Sequence, residues 1–406
     1  MKKIREGYKM TELGVIPEEW NVEYLDKLTK RYTGHTPDKK VPEYWSGDIP
    51  WISLKDTKKL DKGYICETED YTTIKGINNS SAVLLPKGTV VLSRDATVGK
   101  VGITNSEMAT SQHFVNYVCN ENLNNLYLYY DFLNRKKLFE RIGVGSTIKT
   151  IGIPFFKDLK IVLPSVAEQQ KISLILSFVD EQIEITDKLK GKTKKLKKGL
   201  MQKLLKDGIG HTEFKETEVG VIPKEWEVKR IEDICEILDS KRVPLNEKQR
   251  LDMQGDIPYY GANAIVDYIN EYLFDDELIL MAEDGGNFSE FKEKPIAFYV
   301  TGKCWVNNHA HVLKSINPNS SKWVFYSLVH KDITNIVQGG TRAKLNQKDL
   351  RRISIPCPNE ISEQSKLADI LSSVDEKIEE YEIKKEKLQE LKKGLMEKLL
   401  TGKIRV

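Results

Sequence analysis

The sequence lacks several features that would place it in a common functional class. No apolar run approaches the roughly 18 residues that a transmembrane helix needs. The five cysteines are scattered and never form a C-x-x-C pair, which is typical of reduced thiols. The amino terminus has two lysines but no apolar stretch behind them, so it does not resemble a signal peptide. We therefore expect a cytoplasmic protein.

Motifs for catalysis on nucleotides are also missing. The sequence has no G-x-x-x-x-G-K-[ST] loop, no G-x-G-x-x-G, and no Pro-Pro-Tyr clamp of the kind used by amino-methyltransferases. There is no H-E-x-x-H motif. His309 and His311 could share one face of a strand, but two ligands fall short of a metal site. We predict no catalytic residue, no metal site and no cofactor in this chain.

The charge balance limits how the chain could bind nucleic acid. The net charge is +3 although 30% of the residues are charged, and 40% are hydrophobic, as in a globular protein. This charge is far from that of a protein that coats DNA without regard to sequence. Binding would therefore require clustered charge. A chain of 406 residues is also too long for one ordinary core, so two or three domains are expected.

Two stretches of the chain occur twice. The motif G-V-I-P-x-E-W ends at Trp20 and again at Trp226. Segment 168–205 recurs as segment 363–400, with 22 of 38 positions identical at a constant offset of 195. A chain that repeats its frame and varies its contents predicts two different recognition modules on a common scaffold.

The repeated segments have the apolar spacing of long helices, alternating between three and four residues. At about 40 residues each, such helices are roughly 60 Å long. Their narrow apolar stripes require a partner, and the matching register makes each copy the natural partner of the other. Parallel and antiparallel pairings are both possible, and we favour the antiparallel one. The lysine-rich flanks could touch phosphate, although a solvated flank is the simpler interpretation. The predicted interface residues are Ile172, Ile175, Val179, Ile183, Leu196, Leu200, Leu204, Leu367, Ile370, Val374, Ile378, Leu388, Leu391, Leu395 and Leu399.

The segments between the repeats read as mixed α/β structure, and they resemble each other only faintly. Buried strands are predicted at Thr89–Ser93, Phe114–Val118, Leu278–Met281 and Ala297–Val300. Helices are predicted at Leu123–Phe139 and Lys322–Val329. Weak echoes, such as Gly47-Asp-Ile-Pro-Trp51 against Gly255-Asp-Ile-Pro-Tyr259, support a common origin. Trp20 and Trp226 are interpreted as anchors that dock each domain on the helices rather than as base-stacking residues.

The predicted fold class is therefore α/β (α+β). Two globular mixed α/β domains are separated by two long helices that pair as an antiparallel coiled coil, in a pseudo-two-fold arrangement. The predicted divisions are 1–164 (first domain), 165–206 (central helix), 207–358 (second domain) and 359–406 (distal helix).

The whole chain resembles the specificity subunit of type I restriction–modification enzymes. The resemblance rests on G-V-I-P-x-E-W at both domain starts, E-Q-x-K-[IL] at both helix starts and K-K-G-L-M-x-K-L-L at both helix ends. It implies a non-catalytic subunit with two target-recognition domains, each of which reads one half of an asymmetric, bipartite site on double-stranded DNA. The implied partners are methyltransferase (M) subunits, which use S-adenosylmethionine, and restriction/translocase (R) subunits, which use ATP and Mg²⁺.

Candidate DNA-binding residues are polar side chains near the echoed strands. Arg or Lys suits guanine, and Asn or Gln suits adenine. The glycines of Gly145-Ser-Thr147 and Gly339-Gly-Thr341 permit close approach to phosphate. The candidates are Arg94, Lys100, Gln112, His113, Ser146, Thr147 and Lys149 in the first domain, and Glu283, Asn287, Asn308, His309, Thr341, Arg342 and Lys344 in the second.

Two other classes of function stay open at this point. One is a coiled-coil adaptor whose two binding modules do not act on DNA, and such a protein would show no salt-dependent retention on DNA. The other is an enzyme that modifies nucleic acid unaided, which the missing motifs disfavour.

Overall fold

The computed structural model describes residues 5–145, 149–337 and 343–406. The chain forms two compact units, one made of Met1–Asp187 with Ile383–Val406 and the other of Lys188–Glu382. Both divisions fall inside the two long helices, so each unit contains a globular domain and a part of each helix. None of the helices in the described ranges is long and apolar enough to cross a membrane.

The first unit is built around a five-stranded sheet with the strand order β4-β11-β8-β9-β6. A three-stranded sheet (β10-β5-β7) and two strand pairs (β1-β2 and β12-β3) complete it. The strands are β1 (Tyr8–Thr11), β2 (Gly14–Pro17), β3 (Asn21–Tyr24), β4 (Thr29–Thr33), β5 (Trp45–Ile52), β6 (Tyr64–Ile65), β7 (Asp70–Thr72), β8 (Val90–Ser93), β9 (Val101–Thr104), β10 (Ala109–Thr110), β11 (Phe114–Cys119) and β12 (Lys160–Leu163). The helices are α1 (Leu25–Leu28), α2 (Ile74–Asn78), α3 (Asn125–Asn134), α4 (Lys136–Ile142), α5 (Ile153–Lys157) and α6 (Val166–Asp207), of which α6 continues into the second unit.

The centre of this sheet is buried on both faces, which explains the continuous apolar sequence of its strands. Every residue of β8 is buried, and antiparallel β11 places Phe114 opposite Ser93. Helix α3 covers the sheet with Tyr127, Leu128 and Phe132, all essentially inaccessible to solvent. The predicted strands at 89–93 and 114–118 are therefore confirmed.

The single helix predicted at Leu123–Phe139 is wrong in one respect, because the structure has two helices there. Arg135 leaves helical geometry at ψ 2° and separates α3 from α4. Its guanidinium group lies 2.8 Å from the Asp131 carboxylate and also donates to the carbonyl of Lys160 at 2.8 Å. These tertiary contacts, which the apolar periodicity of the segment does not reveal, hold the chain at the break.

The second unit contains a six-stranded sheet with the order β16-β21-β19-β20-β17-β18, and the strand pairs β13-β14 and β15-β22. The strands are β13 (Phe214–Thr217), β14 (Gly220–Pro223), β15 (Glu227–Arg230), β16 (Cys235–Ile237), β17 (Gln254–Tyr260), β18 (Ile265–Ile269), β19 (Phe274–Ala282), β20 (Ala297–Val306), β21 (Ala310–Ser315) and β22 (Ser354–Cys357). The helices are α7 (Ile231–Ile234), α8 (Glu247–Asp252), α9 (Ser321–Leu328), α10 (Gln347–Arg351) and α11 (Ile361–Leu399), of which α11 continues into the first unit. The strands predicted at 278–281 and 297–300 and the helix at 322–329 are confirmed.

In the first unit the two long helices pack against each other in antiparallel fashion. Lys392 lies 2.6 Å from Asp180, and Lys385 lies 2.7 Å from Asp187, so residue numbers rise on α6 as they fall on α11. Ile172 and Leu399 are buried in the same apolar core. The antiparallel pairing favoured from the sequence is confirmed.

The second unit repeats this arrangement with the other parts of the same helices. Lys197 lies 2.5 Å from Asp375, and Lys194 lies 3.2 Å from Glu382. The first of these ion pairs is the repeat of Lys392 with Asp180, because each residue is displaced by 195 positions. The two helical copies therefore exchange the same interaction in both units.

Three of the predicted interface residues do not lie in the buried stripe. Leu196, Ile370 and Leu391 are 56%, 37% and 50% exposed. At about 100° of rotation per residue, Leu196 lies roughly 80° around the helix from buried Leu204. Ile370 and Leu391 are likewise displaced to the edge of the stripe. The stripe is therefore narrower than the apolar spacing suggested.

A contact shared by both repeats joins a buried indole to a carboxylate, which is buried in the first unit and half-buried in the second. Trp20 donates its Nε1–H to Glu168 at the start of α6 at 2.9 Å, and Glu168 also receives two hydrogen bonds from Arg405. In the second unit Trp226 donates to Glu363 at 3.2 Å. Both tryptophans are anchors of their domains on a long helix, as the sequence indicated.

A second repeated contact joins each domain to the helices. Tyr130 of α3 donates its hydroxyl hydrogen to Asp180 at 2.9 Å, and Tyr326 of α9 donates to Asp375 at 2.9 Å. These aspartates are the ones that pair with lysine on the other helix. Domain docking and helix pairing thus share one carboxylate in each unit.

The first prediction concerns the indole–carboxylate anchor. Glu168→Gln should lower the free energy of unfolding by about 1–3 kcal/mol, because the amide places a donor against the Arg405 guanidinium in a buried site. Urea denaturation followed by fluorescence measures the change. The matched control is Glu181→Gln on the exposed face of the same helix, which should stay within about 0.5 kcal/mol of wild type. Equal effects of the two substitutions would contradict the anchor.

Candidate nucleic-acid interface

In the first unit three chain segments meet where β8 ends. The amide of Arg94 donates to the carbonyl of His113 at 2.9 Å, which joins the strand end to the turn before β11. The amide of Ala96 donates to the carbonyl of Lys149 at 3.0 Å, and that of Ile151 donates to Arg94 at 2.8 Å. Backbone hydrogen bonds therefore gather Arg94, His113 and Lys149, three of the residues predicted from sequence to bind DNA.

The second unit builds the same backbone arrangement where β19 ends. The amide of Glu283 donates to His309 at 2.8 Å, that of Gly285 to Ala343 at 3.0 Å, and that of Leu345 to Glu283 at 2.7 Å. These three bonds match the three of the first unit one for one. The two domains thus share a backbone framework although their side chains there differ.

Each framework carries an aspartate–histidine pair that the sequence analysis did not find as a pair. His113 Nδ1 lies 2.7 Å from the Asp95 carboxylate, and His309 Nδ1 lies 2.8 Å from Asp284. Burial alone would raise the pKa of Asp95, but hydrogen bonds from Thr150 and His113 hold that pKa below its ordinary value. The carboxylate therefore accepts, and Nδ1 donates. The sequence contained a signal for these aspartates, because one follows a predicted strand in each domain.

The side chains around the first framework are mostly hydrogen-bond donors. Arg94 donates through Nε to the carbonyl of Ile151 at 3.0 Å. Gln112 is exposed, and its Oε1 accepts from the hydroxyl of Thr36 at 2.5 Å. Lys149 is exposed beside them. Thr36 was missed from sequence because it lies more than 70 positions from the glutamine that it contacts.

The second framework has a different charge pattern. Glu283 pairs with Arg242 at 2.8 Å and with Lys344 at 3.3 Å. Burial opposes ionisation of Glu283, but Arg242 and its other neighbours hold the pKa of the carboxyl below its ordinary value. Asn263 donates to the carbonyl of Gly285 at 2.8 Å. Arg242 and Asn263 come from distant loops with no motif, so no sequence pattern pointed to them.

The other predicted residues are placed as follows. Asn308 is exposed in the turn beside His309. Lys100 donates to the carbonyl of Thr57 at 2.8 Å, and Asn287 donates to the carbonyl of Pro295 at 3.1 Å, so the polar ends of both side chains are engaged within their own domain. Ser146, Thr147, Thr341 and Arg342 lie outside the described residues.

Among the described residues, Asp239, Glu283 and His311 approach one another closely enough to hold a metal ion. However, His311 is buried with Nδ1 at 2.6 Å from Asp239 and Nε2 at 2.8 Å from the carbonyl of Leu345. Both ring nitrogens therefore face acceptors. Burial opposes ionisation of Asp239, but His311 holds its pKa below the ordinary value. With Arg242 beside both acids, the cluster is an internal ion-pair network.

Comparison with known proteins places these two frameworks in a family. The family model described as the type I restriction modification DNA specificity domain matches residues 17–195 and again residues 223–393. The chain belongs to the family of type I restriction–modification DNA specificity proteins. The double match corresponds to the two repeats, each with its domain and the greater part of the helix that follows.

Relatives of this specificity protein cover nearly all of its length. The type I restriction enzyme MjaIX specificity subunit of Methanocaldococcus jannaschii is 29% identical, over 98% of this chain and 96% of its own. The MjaVIII specificity subunit of the same organism is 28% identical, over 96% and 94%. The fold is similar to that of the type I S subunit from M. genitalium, with a TM-score of 0.65 at 18% identity over 96% of this chain and 97% of that one.

The second prediction tests the framework as a DNA-binding surface of the specificity protein. Lys149→Gln should weaken DNA binding several-fold for all sequences alike and lower the salt slope by about 1, because one phosphate contact is lost. Binding is measured at several salt concentrations. Lys87→Gln removes the same charge near the opposite end of β8 and should leave the slope unchanged. An identical loss in both variants would contradict this placement.

Proposed function

We propose that the chain is the non-catalytic DNA specificity subunit of a type I restriction–modification complex and that it reads a bipartite, asymmetric site. One framework would read each half. The observation that carries the proposal is that both domains contain the same framework of backbone hydrogen bonds with unlike side chains. Arg94 of the first domain occupies the position that Glu283 occupies in the second. Unlike side chains in equivalent places favour two different half-sites.

The side chains available suit direct readout of bases. In the first domain Gln112 offers an amide suited to adenine, and Arg94 is a donor suited to guanine. In the second domain Asn308 offers an exposed amide, while Glu283 is already paired with Arg242. Lysines on both frameworks supply phosphate contacts, which fix position rather than sequence. In the first framework the positive charges of Arg94 and Lys149 favour DNA binding even though the net charge of the chain is small.

We further propose that the long helices carry the partner subunits. One face of α6 in the first unit is apolar and exposed: Leu174, Phe178 and Ile185 are 70%, 59% and 41% exposed to solvent. These residues follow a helical spacing of four and seven and so form one stripe. An exposed apolar stripe of this kind favours binding of another protein.

The stripe is absent from the second repeat. The residues at the equivalent positions of α11, displaced by 195, are Asp369, Ser373 and Glu380. Partner subunits should therefore bind the two repeats with unequal affinity. The M subunits would supply adenine methylation with S-adenosylmethionine, and the R subunits would supply translocation with ATP and Mg²⁺. The specificity subunit itself would direct them to the site.

The third prediction tests independent reading by the two domains. Replacing residues 21–163 with the corresponding segment of another family member should change one half-site and leave the other intact. Sequencing methylated adenines in a randomised DNA library, with the M subunits present, identifies both halves. The reciprocal replacement of residues 227–356 is the matched control and should change only the other half. If both halves changed together, independent reading would be wrong, and absence of any DNA preference in the wild type would leave the adaptor function.

The fourth prediction tests the apolar stripe. Changing Leu174, Phe178 and Ile185 to the residues of the second repeat (Asp, Ser and Glu) should weaken the tighter M-subunit association by at least about tenfold. The reason is that these three apolar side chains would no longer be buried against the M subunit. Titration by calorimetry or native mass spectrometry measures both binding steps. The same variant should retain its unfolding midpoint, since all three side chains are exposed. Unchanged binding would exclude the stripe as a docking surface.

A further inference from the structure

The carboxylate of Asp95 joins the parts of the first framework. Its Oδ2 atom lies 2.7 Å from Nδ1 of His113, and its Oδ1 atom accepts the hydroxyl hydrogen of Thr150 at 2.7 Å. The backbones of Asp95 and Thr150 also form a β-bridge. One side chain therefore connects the end of β8, the turn before β11 and the residue that follows Lys149.

We propose that Asp95 and Thr150 are positioning residues that set the geometry with which the first domain reads DNA. The proposal rests on the proposed function. Neither residue is assigned to DNA contact, because both oxygens of Asp95 are engaged within the protein and a carboxylate repels phosphate. Their role is to hold His113 and Lys149 in fixed relative positions.

Thr150 is itself held in place from a second side. Its amide donates to the carbonyl of Val144 at 2.9 Å, and its carbonyl accepts from the amide of Val144 at 3.1 Å. The backbone of Thr150 is thus paired with Val144, and the side-chain hydroxyl donates to Asp95. Removing that hydroxyl removes neither of these two backbone hydrogen bonds.

The second domain has the same aspartate–histidine pair but holds the segment that precedes α10, which contains Lys344 and Leu345, by a different contact. Asp284 pairs with His309 and forms a β-bridge with Lys344, the counterpart of Thr150. This segment is held there by His311, which donates to the carbonyl of Leu345. The hydroxyl contact is therefore specific to the first domain, and its loss should affect one half-site only.

The test compares Thr150→Val with Thr150→Ser in the full complex with M subunits. Valine has nearly the same shape as threonine but cannot donate to Asp95, whereas serine keeps the hydroxyl. Methylation of site variants with single-base changes gives the discrimination at each half-site. Thr150→Val should lower discrimination at the first half-site about tenfold, the factor expected for one lost hydrogen bond to a charged group, and leave the second half-site unaltered. Thr150→Ser should restore it.

Other outcomes would overturn the proposal. Equal losses at both half-sites, or a lower unfolding midpoint with discrimination unchanged, would make Thr150 a merely structural residue. Asp284→Asn alters the counterpart of Asp95 in the other domain and should affect only the second half-site. A wild-type complex without any DNA preference would instead refute the proposed function, so the two failures are distinguishable.

Discussion

The fold depends on an acidic side chain near the start of each long helix, buried in the first unit and half-buried in the second. Glu168 and Glu363 each accept the indole N–H of the tryptophan that begins a domain. A buried carboxylate is stable only when its partners are present, so this contact fixes where each domain meets its helix. The helix carries the matching side chain at the same distance from its start in both repeats. The tryptophan and the glutamate that recur in the sequence are the two partners of this docking contact.

Asp180 and Asp375 extend the same principle along the helices. Each aspartate accepts the hydroxyl hydrogen of a domain tyrosine and pairs with a lysine of the opposite helix. A carboxylate with two kinds of partner resists substitution, because either loss leaves a partly buried charge poorly compensated. The domains can therefore diverge elsewhere while their attachment stays constant. This separation suits a protein whose recognition surfaces vary and whose scaffold must still fit the same partners.

The recognition frameworks show how such divergence is accommodated. In the first domain, backbone hydrogen bonds join the end of β8 to the turn before β11 and to the segment 149–151. Such bonds do not depend on side-chain identity. Arg94 can thus be exchanged for Glu283 at the same place without loss of the framework. The aspartate–histidine pair is the exception, since it occurs in both domains. A support that both domains share, with neighbours that differ, suits reading of two different half-sites.

Periodicity and repetition in the sequence predict both long helices, their need for a partner, the anchoring tryptophans and the buried strands, because these are local or regular signals. They leave parallel and antiparallel pairing both possible, and the ion pairs of Lys392 with Asp180 and of Lys197 with Asp375 show the antiparallel one. The site was only partly predictable. Arg94 and His113 were found because they adjoin apolar strands, whereas Arg242 reaches Glu283 across 41 positions of chain without any motif. The narrow width of the buried helical stripe, which leaves Leu196 exposed, likewise depends on tertiary packing and not on the apolar spacing alone. Contacts between distant loops arise only when the sheet brings its strand ends together, so they can be identified only in the folded chain.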